Sequence, residues 1–242
     1  MNKVFIPLLT FLFGCSLTVN SSVVRIGMDP NWESIALYGQ ESYVNGYLED
    51  VLLALAQETG LRFERIRANS DSLLSNLADH KYDFALSGLF PHPLYQTQYD
   101  FSPLILDTGL QLILPARDSS NIRLKEMEHR ILGVQNQEAA QFLQAYSTLI
   151  VRKIPTISQL LTAVVQQEID GAVLSRIPAT NYVRDLYAGT LQIVGPVLTE
   201  DGIRFISLKE TQQQKMIQLH KGIERLERSG VLKSLQQKWR LL

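Results

Sequence analysis

"YDFALSGLFPHPLYQTQYDFS" (82–102) decides how the rest of the chain is read. Tyr82 to Gly88 is an apolar run of strand length, closed by Ser87 and Gly88. Pro91 and Pro93 then forbid regular structure, because each lacks a backbone donor and fixes its own φ. Tyr95, Tyr99 and Phe101 follow, and residues 87–102 contain no Lys or Arg. A buried strand that runs into a stiff, aromatic, uncharged loop is the expected edge of a ligand cleft in an α/β sheet.

Reading outward, strands alternate with amphipathic helices. "VVRIGM" (23–28) is a β-branched run that stops at the turn signal "DPNW". Leu48, Val51, Leu52 and Leu55 repeat at helical spacing, and Gly60 stands where a helix stops. "LRFERI" (61–66) alternates as a strand, and Leu73, Leu74 and Leu77 mark a short helix capped by Ser70 or Asp71. A second series follows, with strands at 110–114, 131–134, 150–154, 170–174 and 191–194. Helices near 137–146, 157–168 and 177–188 separate them, the middle one capped by Thr156 or Ser158. "IRFISL" (203–208) is a further strand, and helices at 211–228 and 231–239 end the sequence.

The alternation implies α/β lobes with mainly parallel sheets. The expected division is lobe 1 from 23–108 plus 199–242 and lobe 2 from 109–198, joined by short crossings near 106–111 and 197–202. Ligands in such folds bind beyond the carboxyl ends of the strands. That selects Asp29 to Trp32, Ser87 to Tyr95, Gln135 to Ala139 and Ser175 to Pro178.

The 242 residues are 45% hydrophobic and 19% charged, an ordinary globular composition. A net charge of −1, with no basic stripe, argues against a nucleic-acid partner. The four histidines lack metal spacing, so neither metal nor cofactor is expected. At the N-terminus, Lys3 precedes an uncharged run from Val4 to Phe13, too short to span a bilayer and suited to a secretory signal over 1–14. Cys15, the sole cysteine, has no disulfide partner. "LFGC" (12–15) resembles a bacterial lipobox, which implies lipidation of Cys15 and membrane anchoring in the periplasm.

The ordered pieces "VRIGMDPNW", "NGYLEDVLLALAQETGLRFE", "YDFALSGL", "ILGVQNQ", "EIDGAVLSRIPATNYV" and "LERSGVLKSLQQKW" resemble the family 3 extracellular solute-binding proteins of amino-acid ABC transporters. The resemblance implies a type II "Venus flytrap" fold with a two-strand hinge. It also implies a monomer that captures an amino acid, modified amino acid or short peptide and delivers it to an ABC permease. In amino-acid-binding members an Arg after the third strand pairs with the ligand carboxylate, and an Asp of the second lobe takes the ammonium.

Carried onto this chain, the glycine is Gly88, while the Arg position falls on Tyr95 and a hydroxyl-bearing contact on Phe90. The second-lobe Asp falls on Arg176, or on Ser175 with a slip of one. The Gly-Thr at a helix start falls on Gln137 and Glu138, and the first-strand aromatic on Trp32, next to Asp29; Ser87 opens the strand-end segment that holds Gly88. The scaffold matches and the zwitterion clamp does not. One consistent rearrangement has Arg176 taking an anionic group and Asp29, with Glu138, a cationic one. Trp32, Phe90 and Tyr95 then supply aromatic surface.

Each site residue also has a plain structural reading. Trp32 can close its turn against the sheet, Asp29 can shape that turn, and Arg176 can form an internal ion pair. Catalytic motifs are absent: no G-x-S-x-G, H-E-x-x-H, P-loop or dinucleotide fingerprint occurs. The alternatives to a transport receptor are a sensing module without transport and a cyclohexadienyl-type dehydratase, for which Glu138 and Asp29 are the candidate carboxyls. The chain is expected to be a binder and not an enzyme.

Overall fold

The computed structural model describes residues 23–33, 35–118 and 122–242. The signal reading over 1–14 and Cys15 lie outside the described residues. Two sheets carry the two lobes. The first contains β1 (Val23–Met28), β2 (Arg62–Arg67), β3 (Phe84–Ser87), β4 (Tyr99–Phe101) and β5 (Leu106–Asp107), together with β11 (Gly202–Leu208). The second contains β6 (Leu110–Pro115), β7 (Ile131–Val134), β8 (Ile150–Lys153), β9 (Gly171–Ser175) and β10 (Leu191–Val194), in the order β10-β6-β9-β7-β8.

The sheets are mixed, where the alternation alone suggested mainly parallel pairing. β1 pairs in parallel with β2 and β3, and β7 with β8 and β9. These are the strands joined by helical crossovers, which return the chain in the same direction. The strands at the lobe crossings, β6 and β11, pair antiparallel with β9 and β3. They arrive from the opposite lobe, with no crossover helix to reverse them.

The helices follow from apolar spacing and local stops. α1 (Glu41–Thr59) buries Val44, Tyr47, Leu48, Val51, Leu52 and Leu55 on one face and ends at Gly60 in the left-handed conformation. α2 (Ser70–Ala78) starts at Asn69, one residue before the expected cap, and its first-turn bond runs from the Ser72 N–H to the Asn69 carbonyl. α3 (Pro93–Gln96) corrects the reading of 91–96 as structureless. His92 Nδ1 accepts from the Leu94 N–H at 3.3 Å, and Pro93 occupies the first helical position, where its missing N–H costs nothing.

In the second lobe, α4 (Gln137–Leu143) is capped by Asn136, which accepts from the Ala139 N–H at 2.9 Å. α5 (Ile157–Val165) is capped by Thr156, one of its two expected caps. α6 (Arg176–Leu186) follows β9 directly, and α7 (Gln213–Arg228) and α8 (Val231–Lys238) break at Gly230. No helix among the described residues is long and apolar enough to cross a membrane.

Two short segments join the lobes. β5 pairs with β11 through Asp107↔Gly202 and Leu106↔Ile203. A Cβ on Gly202 would lie 2.3 Å from the Leu106 carbonyl oxygen, and one on Gly109 would lie 2.3 Å from that of Thr199. Both glycines therefore permit the close strand approach that makes the hinge. Tyr47 of α1 donates its hydroxyl to the Ile105 carbonyl at this crossing, and burial pushes its pKa up to about 12.

Candidate functional site

The segments singled out in sequence lie at the ends of their strands, and their side chains fall into two groups. The β1 rim is internally satisfied. Asp29 is 4% exposed and accepts from the backbone N–H groups of Asn31 at 3.0 Å and Glu33 at 3.4 Å. Trp32 is 2% exposed and packs in the lobe 1 core beside Leu37 and Val44. Its indole N–H donates to Asn45 Oδ1 at 2.7 Å, and Asn45 donates to the Pro30 carbonyl at 2.8 Å. Trp32 holds a φ of 52°, which costs a side-chain-bearing residue roughly 1–2 kcal/mol. The buried ring and its hydrogen bond hold that conformation in place. Both residues thus have the internal contacts of their turn-shaping reading.

The β3 rim is more open. Ser87 is buried, and its hydroxyl accepts from the Leu89 N–H at 3.1 Å. Gly88 serves close packing, because a Cβ there would lie 2.8 Å from Ile35. Phe90 is 43% exposed and Tyr95 is exposed on α3, so both present aromatic surface beyond the strand. On lobe 2, Ser175 is buried at the end of β9, and Arg176 opens α6. The Arg176 guanidinium donates to Asp107 Oδ2 at 2.9 Å, and its backbone N–H donates to the Gly109 carbonyl at 2.8 Å. Arg176 is therefore tied to the first crossing.

Gln137 and Glu138 are exposed in the first turn of α4. The Asp201 charge of the second crossing acts on Glu138. Although its side chain reaches solvent, its carboxyl is held above the usual carboxylate range, first by partial desolvation and then by the like charge of Asp201. Tyr38 of lobe 1 donates its hydroxyl to Gln135 Oε1 of lobe 2. Its pKa is raised, mainly by desolvation, with the Glu138 charge adding to it.

Tyr38, Asp107, Asp201 and Arg204 are the residues of this region that the sequence reading did not select. Arg204 carried a signal: it is the one charge in "GIRFISL" (202–208), a run otherwise buried in the sheet. Among the described residues, no group of three or more His, Cys, Asp or Glu side chains could hold a metal ion.

Comparison with known proteins agrees with this architecture. The arginine-binding extracellular protein ArtP of Bacillus subtilis is 23% identical over 206 residues, covering 84% of this chain and 80% of the relative. The probable ABC transporter arginine-binding protein ArtJ of Chlamydia trachomatis is 22% identical over 228 residues, covering 92% and 87%. The open, unliganded L-cystine solute receptor of Neisseria gonorrhoeae superposes with a TM-score of 0.73 at 18% identity, covering 91% of this chain and 93% of that one. This likeness shows the two-lobed flytrap fold. The model of the bacterial extracellular solute-binding proteins, family 3, matches residues 24–241. The chain belongs to that family, one of binding proteins and not of enzymes.

Proposed function

We propose that the protein captures an amino acid between its lobes, 23–108 plus 199–242 and 109–198, and presents it to an ABC permease. In this reading it acts as a monomer at the outer face of the bacterial inner membrane, anchored through lipidated Cys15. The observation that carries the ligand class is the Glu138–Asp201 pair. Two carboxyls close enough for one charge to act on the other form a site short of positive charge. An ammonium or guanidinium placed there relieves both the repulsion and the desolvation. The names of the two relatives, both arginine-binding, support a ligand with a cationic group.

Phe90 and Tyr95 supply the apolar wall, and Gln137 lies next to the acidic pair. Arg176 serves as a strut to Asp107 in place of the anion clamp expected of it. Glu138 comes from lobe 2 and Phe90 and Tyr95 from lobe 1, so a ligand touching all three favours a closed arrangement through contacts an open one lacks. A thermal-shift screen of the twenty amino acids and common polyamines tests the reading, because a ligand of the folded state raises the melting temperature. Cationic amino acids are expected to give the largest shifts. A null screen, or shifts only with anionic ligands, rejects it.

A further inference from the structure

α6 packs on the sheet of the second lobe and is also held by the first. Ala179, Tyr182 and Val183 share a core with Leu174 and Leu191 of the second sheet. Ile177, in the same helix, is 1% exposed and lies instead in the lobe 1 core, which includes Leu241. Arg184 stands eight residues after Arg176, about 12 Å along the helix. Its Nη1 donates to the carbonyls of Arg240 at 3.3 Å and Leu242 at 3.2 Å. The reach is reciprocal, because Arg240 Nη2 donates to Asp185 Oδ1 at 2.9 Å. Asp185 Oδ1 also accepts from Arg184 Nε at 2.9 Å.

The segment that receives these contacts, 239–242, is fixed to lobe 1. The Trp239 indole N–H and the Lys238 ammonium both donate to Asp50 Oδ2 of α1 at 2.7 Å. Leu241 is buried. Between these anchors Arg240 adopts a φ of 55°, a left-handed conformation that a side chain disfavours. Trp239 on one side and Leu241 on the other hold it there, with its guanidinium on Asp185. Each ion pair reaches solvent and is weak alone. Together they bridge two lobes, and an equilibrium between lobe arrangements is balanced finely enough for weak contacts to bias it.

We propose that Arg184, Asp185 and Arg240 latch α6 to the segment 239–242 and so set the lobe arrangement, and with it ligand affinity, from outside the cleft. In the arrangement that the latch holds, Phe90 and Tyr95 are open to solvent. Closing the lobes turns lobe 2 about the two crossings and moves α6 relative to that segment, so the latch opposes closure. Its three residues act as positioning residues, and the latch stands apart from the choice of ligand.

The test reads lobe separation with no ligand added. Cysteines replace Leu94 on α3 and Gln141 on α4, both exposed and one on each rim, in a chain carrying Cys15→Ser. Spin labels on them report the distance across the cleft by pulsed electron–electron resonance. Arg240→Met and Asp185→Asn should each shift the distribution to shorter distances. The double variant should shift it no further, because both changes break the same contact. Arg240→Lys, which keeps the charge, should stay nearer the parent chain. Added sodium chloride should move the parent the same way, since it screens the pairs, and leave the variants still. The salt series needs no substitution in the latch, so it decides the proposal even where a variant fails to fold.

If parent and variants give one distribution at every salt concentration, the contacts are surface pairs only and the proposal falls. Any amino acid that stabilises the parent should bind Arg240→Met several times more tightly. A shorter distance with unchanged affinity overturns the claim that the latch sets binding. If no amino acid stabilises the parent, the amino-acid reading fails while the distances still decide the latch.

Discussion

The β1 rim and the hinge-side cluster both lie at strand ends facing the other lobe, yet they are built on opposite principles. At the β1 rim the polar groups find partners inside the protein: Asp29 in its own turn, Trp32 on Asn45, Asn45 on Pro30. At the hinge, the like charge of Asp201 acts on Glu138, and Arg204 keeps a buried Nε–H without a partner. A satisfied rim fixes the scaffold. An unsatisfied cluster stores the free energy that a ligand of matching charge can release. Candidate ligand contacts are therefore better sought among side chains whose partners are missing than among those that are merely near the strand ends.

Substitutions can break this contrast. The largest effect is expected from Trp32→Ala, which removes a buried ring and orphans Asn45. Urea denaturation should show a loss of about 3–5 kcal/mol. A stable Trp32→Ala protein with impaired binding would instead make Trp32 a ligand contact. Arg204→Met should do the reverse. Its unfolding free energy should be unchanged or higher, because a poorly paired buried charge gives way to an apolar side chain of similar length.

Glu138→Gln sharpens the electrostatic half. Because the folded-state pKa of Glu138 is raised, its stabilising effect is complete below the normal glutamate range and is lost as pH rises through the folded value. The ligand-free wild type should therefore gain stability as pH falls toward that range, and Glu138→Gln should flatten the slope. At neutral pH the variant should be more stable by less than about 1 kcal/mol, since the site is partly solvated. The smallest effect is expected from Tyr38→Phe, which removes one exposed hydrogen bond between the lobes. A change near 0.5 kcal/mol in the balance of open and closed forms should appear as a slight change in small-angle scattering.

Much of the scaffold was legible because it rests on local chemistry. Leu48 to Leu55 set the buried face of α1, Gly60 stopped it, and Thr156 capped α5. Pro93 misled because a proline reads as a breaker, although at a first helical position it is tolerated. Trp32 was ambiguous for a different reason. An aromatic after a turn looks the same whether it faces ligand or core, and the partner that decides the matter, Asn45, lies on another element. Arg176 needed Asp107, a contact the fold makes across 69 residues. The Asp201 charge reaches both Glu138 and Arg204 only because the second crossing lies near the start of α4, and no periodicity encodes that placement.

The most direct test of the central claim compares thermal shifts of wild type and Glu138→Gln across the twenty amino acids at equal concentration. The account predicts that at least one cationic amino acid raises the wild-type melting temperature by several degrees and that the shift shrinks sharply in the variant. A full shift in Glu138→Gln, or no shift in the wild type, contradicts it.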